Sequence, residues 1–349
     1  MEIWYVGDNQ VPACYVYRVE SISESMAYAG LKTQIFSTIP SALTRLQNST
    51  RPPNAIVIHR KPWDIHAQNL IVRAHKAEVK IGFDVDDLVF EASEIPFVRG
   101  YYGLTPGERQ QYERGVLGYR EMMIRVDFVT VSTHSLACYA SRYCANVFVV
   151  PNMINRRRWK ERYSPKNPSR KVSIGYFSGT RSHEKDVAMV EHVLMNLLQK
   201  HGELSVHLGG LVSVDPQFEA HDRVLRHAMG PFSKLPGLVR NADINICPLE
   251  RSPFCDAKSN AKYLEACLAG IPSVVSDSPA YECVTDSQTG LRARTSNEWM
   301  KKLELLVENP SLRRNLTDNS IKLIKQDFLT TSDGARKFLD PVIEFVSWR

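Results

Sequence analysis

From one end of the chain to the other, short β-branched runs alternate with helical stretches. That rhythm is the sequence sign of βαβ units and of parallel sheet. It predicts strands near 2–6, 33–37, 55–59, 79–84, 127–131 and 146–150, with helices near 20–30, 63–77, 107–124 and 134–143. Gly30 reads as the C-cap of the first of these helices. After Pro151-Asn152 the apolar periodicity stops, and turn residues run through Ser164-Pro165-Lys166-Asn167-Pro168. A second series then begins, with strands near 171–177, 204–208, 223–228, 243–248, 273–276 and 290–293 and helices near 183–200, 233–241, 258–269 and 296–308. At 349 residues the chain is too long for one ordinary core. It reads as two doubly wound α/β domains facing a cleft, 1–165 and 166–330, followed by a terminal helix over 331–349. The apolar residues of that helix, among them Leu339, Val342 and Val346, need a surface to cover, and the first domain supplies one.

Composition narrows the class. An apolar fraction of 43% and a charged fraction of 23% exclude disordered, fibrous and collagenous chains. The stretch from Met1 to Gly7 reads as a strand rather than a secretory leader, and runs such as Ala55-Ile56-Val57-Ile58 are too short to cross a bilayer. Seven cysteines without a C-x-x-C pair indicate neither a disulfide framework nor a zinc site, so the cytoplasm is the expected compartment. The net charge of +6 is mild but concentrated: Arg156-Arg157-Arg158-Trp159-Lys160 and the cations up to Lys171 are accompanied by Glu161 alone. Such a patch suits peripheral contact with an anionic membrane surface, or is a solvated linker. No recognised module points to nucleic acid.

The segment from Pro248 to Val275 carries the most chemistry. A strand ends at Pro248, a helix is expected from Lys258, and Gly270 stops it before the next strand. A helix start at the carboxyl edge of a parallel sheet presents free N–H groups and positive potential to phosphates. Lys258 adds a cation, with Ser259 and Asn260 beside it. Glu265 falls on the face of Lys258 and Lys262, where its carboxylate can accept from a ribose diol. The plainer reading is that Lys262 and Glu265 form an exposed ion pair worth little. Further upstream, Ile174 to Gly179 leads into Thr180-Arg181-Ser182-His183-Glu184-Lys185-Asp186, a strand, a Gly turn at Gly179 and a helix with Arg181 and Lys185 four residues apart. His183 and Asp186 can equally belong to a self-capping helix start.

In the first half, Phe83-Asp84-Val85-Asp86-Asp87 sets three carboxylates just past a strand. They read as a wall of an acceptor site, as a metal-binding D-x-D, as the nucleophile loop of an aspartyl phosphatase using Asp84 and Asp86, or as caps of the next segment. Arg18 and Arg60 follow strand ends and suit an anionic acceptor. His134, after Thr133, suits a base toward an acceptor hydroxyl or a stabiliser of the reacting sugar carbon, unless it merely starts a helix capped by Ser132.

The run Lys258-Ser259-Asn260-x-Lys262-Tyr263-Leu264-Glu265, followed by Gly270-Ile271-Pro272-x-Val274, resembles the donor signature of the retaining GT-B glycosyltransferases of the family 4 type. Ala280-Tyr281-Glu282, Thr289-Gly290-Leu291, the stretch from Asn297 to Pro310 with Arg313-Arg314, and Asn152 extend the likeness, strongly over 170–330 and weakly before 125. The resemblance implies two Rossmann-like domains, acceptor on the first and a UDP-, GDP- or dTDP-sugar on the second, without metal or other cofactor. It implies that Arg181 and Lys185 neutralise the leaving diphosphate, that Gly179 and the 258–260 segment assist, and that Glu265 holds the ribose. It implies transfer with retention to a glycan or lipid-linked acceptor, as in cell-surface polysaccharide assembly. One departure stands out: the family's sugar-positioning Glu falls at Ala257, leaving Asp256 or Lys258 as substitutes. A scaffold that kept the fold and lost activity is therefore the alternative from another class.

Overall fold

The computed structural model describes residues 1–10, 12–155, 171–179, 186–228 and 230–348. The boundary between 165 and 166, the basic run 156–170, and Arg181, His183 and Lys185 lie outside the described residues.

The first sheet comprises β1 (Glu2–Val6), β2 (Lys32–Phe36), β3 (Ala55–His59), β4 (Lys80–Val85), β5 (Phe128–Val131) and β6 (Val147–Val149) in the order β2-β1-β3-β4-β5-β6. The second comprises β7 (Ser173–Ser178), β8 (Ser205–Gly210), β9 (Val224–His227), β10 (Ile244–Cys247), β11 (Ser273–Ser276) and β12 (Leu291–Ala293) in the order β12-β11-β10-β7-β8-β9. Every pairing is parallel. Helices cover both faces of such a sheet, which is why β3, β5, β7 and β10 are buried along their whole length. The order reverses beside β1 in the first sheet and beside β7 in the second. Ligands of doubly wound sheets bind outside the strand ends at such switch points.

Local chemistry sets the helix boundaries. Asp64 accepts from the Ala67 N–H at 2.8 Å to start Ile65–Lys76, and Thr105 with Glu108 forms a capping box for Pro106–Arg125. The sequence reading passed over the helix Ile39–Gln47, whose start is Thr38 with Pro40 in the first turn. The Ser-Thr-Ile-Pro run there looks like a turn, yet Thr38 is its N-cap and proline is tolerated in a first turn. The terminal helix Asp333–Ser347 buries Leu339, Val342 and Val346 against Ile3, Tyr5, Met26 and Phe128 of the first domain. Just before it, the Ile154 N–H donates to the Phe328 carbonyl at 2.8 Å and Thr330 returns a bond to Ile154 at 3.1 Å. The chain thus crosses back and ends on the domain where it began.

Candidate functional site

The carboxyl ends of the two sheets enclose a cleft of about 750 Å³. Its floor on the second domain is backbone. Gly210 has φ +82, and a Cβ there would stand 2.2 Å from the Ser178 carbonyl oxygen; a Cβ on Gly209 would stand 2.5 Å from the Phe177 ring. A side chain at either position would close the approach to the end of β7. This glycine pair was missed in the sequence, although two glycines ending a strand are a readable signal of close backbone approach.

The second wall is built by the helix Ala261–Leu268 and the loop before it. The helix begins three residues later than the sequence predicts, after Asn260, so Lys258 and Ser259 sit in the approach to its N-terminus. Glu265 is buried rather than exposed, which overturns the surface ion-pair reading. Its Oε1 accepts from the Tyr17 hydroxyl of the first domain at 2.6 Å, and burial pushes its carboxyl up to about 7. Burial also lowers the Lys262 ammonium and lifts the Asp186 carboxyl to about 7. Tyr17, itself buried, lies edge-on to Phe232 with centroids 5.8 Å apart. No sequence pattern near Tyr17 announces it, because its partner is 248 residues away.

The first wall carries Arg60, Asp86 and Asp87. Arg60 sits at φ +46, a backbone state that costs a branched-out side chain of this kind on the order of 1–3 kcal/mol and that concentrates at functional sites. Its Nη1 reaches Asp86 at 3.2 Å and Asp87 at 3.4 Å. Lys258 crosses the cleft to Asp87, Nζ to Oδ1 at 2.8 Å, with its ammonium 4.3 Å from the Phe254 ring centroid. Burial opposes the Asp87 charge, but Lys258 and Arg60 together hold its carboxyl below the usual range. Asn152 adds a further link between domains, donating to Ser259 Oγ at 3.0 Å.

Several expected site residues are placed elsewhere. Arg18 is enclosed: Nε and Nη2 bind the two oxygens of Asp84 at 3.1 and 2.6 Å, and Nη1 reaches the Val150 carbonyl and Asn152. It does not line the cleft and has no face for an anionic acceptor. Asp84 also takes His59 Nδ1 at 2.8 Å and the Thr130 hydroxyl at 2.6 Å. With both oxygens engaged it serves neither as a D-x-D ligand nor as a phosphatase nucleophile, which removes those two readings. His134 is 71% exposed and meets Glu282 at 2.8 Å, and neither residue is among those lining the cleft. The N-cap of its helix is Thr133, while the Ser132 hydroxyl binds the Asp86 carbonyl. Asp256 accepts from Ser278 at 2.8 Å, Asn260 donates to Cys283 Sγ at 3.1 Å, and neither lines the cleft. Of the residues expected at the donor, the cleft brings together Gly179, Lys258, Ser259 and Glu265. Among the described residues, the group His201, Glu304 and Glu308 has metal-ligand spacing, and it lies outside the cleft.

Residues 171–309 match the family model described as Glycosyl transferases group 1. The matched residues span the second sheet, from β7 to β12. HepE of Anabaena, solved with UDP-glucose, has a TM-score of 0.63 to this chain at 13% identity, covering 99% of this chain and 100% of HepE. A glycosyltransferase from Rickettsia africae ESF-5 has a TM-score of 0.63 at 13% identity, covering 100% of this chain and 99% of its own. TarM of S. aureus has a TM-score of 0.60 at 13% identity over 88% of this chain. The chain spans 58% of the length of TarM. No curated protein sequence matches the chain. At such identity the likeness is one of fold, and the fold is GT-B: two parallel α/β domains about a cleft.

Proposed function

We propose that this chain transfers a sugar from a nucleoside diphosphate sugar to a glycan or lipid-linked acceptor, with retention at the transferred carbon. The observation that carries the reading is Glu265: a carboxylate buried at the switch point of the second sheet, at the wall of a cleft of about 750 Å³ and inside the matched domain. A buried carboxylate aimed into a cleft is disposed to accept from a polar ligand, and here the ribose diol is the partner. Lys258 and the N–H groups before Ala261 would meet the diphosphate. Arg181 and Lys185, outside the described residues, are assigned the charge that develops on the departing diphosphate. UDP-glucose bound to HepE, which shares the fold, supports a nucleotide sugar as donor.

Arg60 and Asp86 form the acceptor side. Domain roles follow: residues 1–165 for the acceptor, 166–330 for the donor. No described helix is long and apolar enough to cross a membrane, so a lipid-linked acceptor would be met at a surface, with the 156–171 cations on its anionic side.

Binding without turnover has one feature in its favour, since Ala257 is wholly buried and offers no sugar-positioning carboxylate. Calorimetry with UDP, GDP and dTDP tests the proposal: one of them binds, and Glu265→Ala weakens it by about tenfold or more, the loss expected for a hydrogen bond to a charged group. Absence of binding by all three sinks the reading. Release of sugar from the matching donor separates enzyme from scaffold.

A further inference from the structure

Asp87, two residues past β4, belongs to the first wall by position and to the donor side by contact. Among the described residues, Asp86, Asp87 and Glu265 are the carboxylates lining the cleft. Glu265 is engaged by Tyr17 at 2.6 Å, and Asp86 is 7% exposed and faces Arg60. Asp87 is the most open of the three, its side chain 24% exposed, and it is the one that reaches across to the donor segment through Lys258. Among the described residues the second domain's donor segment supplies no equivalent there, because Ala257 is buried and the Asp256 carboxylate is turned to Ser278.

We propose that Asp87, carried by the first domain, takes the hydroxyls of the donor's hexose and sets which hexose is accepted. The inference rests on the donor reading above, in which Lys258 meets the diphosphate. The sugar is bonded to that diphosphate, so its hydroxyls fall within a few ångströms of whatever neighbours Lys258, and that neighbour is Asp87. Held ionised by Lys258 and Arg60, Asp87 is an acceptor only, with lone pairs beyond those two contacts. Hydrogen bonds from sugar hydroxyls to a carboxylate are charge-assisted and directional. A site built on such a bond rejects an epimer whose hydroxyl points elsewhere far better than an apolar pocket does, since the carboxylate is then left unanswered.

The experiment compares diphosphate with diphosphate sugar. Calorimetry measures UDP, GDP and dTDP, then UDP-glucose, UDP-galactose, UDP-N-acetylglucosamine, GDP-mannose and dTDP-glucose, against the wild type, Asp87→Asn and Asp87→Ala. The expected result is a wild type that holds one sugar nucleotide more tightly than its epimers and its bare diphosphate. Both variants then keep the diphosphate affinity within about threefold and lose about 10- to 100-fold of the preference for that sugar. Three results overturn the proposal: a wild type indifferent to the sugar, a preference that survives both variants, or an equal loss for diphosphate and sugar nucleotide, which makes Asp87 only a holder of Lys258. Failure of every diphosphate to bind the wild type instead removes the donor reading itself.

Discussion

Asp84 and Glu265 are both buried carboxylates at the carboxyl edge of a parallel sheet, one in each domain, and they differ in almost everything else. Asp84 stands against Arg18, His59 and Thr130; burial works against its charge, but Arg18 and His59 hold its carboxyl well below the usual range. Glu265 has the Tyr17 hydroxyl and no ion pair among the described contacts, and burial lifts its carboxyl to about 7. The first arrangement is closed, with each lone pair answered by the protein. The second is left for something else to complete. Burial alone does not mark a site; burial without a compensating charge does.

The comparison breaks most visibly at Arg18. Removing one partner of a buried ion pair leaves the other charged and desolvated, so Arg18→Ala is expected to cost about 3–5 kcal/mol of stability in urea unfolding. A loss below about 1 kcal/mol would mean that Asp84 is no more closed than Glu265.

Glu265→Gln sharpens the contrast through pH. Because the folded protein binds the Glu265 proton more tightly than the unfolded chain does, stability attributable to this group falls as pH rises from about 4.5 to about 7. Asp186 acts in the same direction. The Gln variant should therefore show a shallower decline across that window, by on the order of 2–3 kcal/mol at its upper end. Asp84 has the opposite sign, its contribution being present at neutral pH and lost in acid, so Glu265→Gln should leave the acid limb unchanged. Urea melts at pH 2, 3, 4, 5.5, 7 and 8 read both limbs, and a variant parallel to the wild type throughout contradicts the assignment.

The smallest effect is expected at His134. Its pair with Glu282 is exposed on both sides, and such pairs contribute about 0–1 kcal/mol. His134→Ala should leave both stability and diphosphate affinity near the wild type; a large loss of affinity would return His134 to the site.

Much of this architecture is legible in the sequence. The period of the apolar runs fixes strand and helix, and β3, β7 and β11 fall where the β-branched runs stand. The grouping of Lys258, Ser259 and Glu265 at the cleft was legible too, because they occupy one local loop and helix. The helix Ile39–Gln47 was not, since its opening residues serve turns and caps alike. The roles of Arg18, Tyr17 and Asp87 were hidden for a different reason.

A sequence determines what is local: periodicity, caps, glycine positions and the residue types within one turn or loop. Thus the chain by itself decided that there are two parallel-sheet domains and that Lys258, Ser259 and Glu265 share one loop and helix between β10 and β11. Only the tertiary structure decided which charges are answered. Arg18 meets Asp84 across 66 residues, Tyr17 meets Glu265 across 248, and Asp87 meets Lys258 across 171. Whether a carboxylate is silent or available depends on partners brought by folding, because the free energy of a buried charge is set by its neighbours in space.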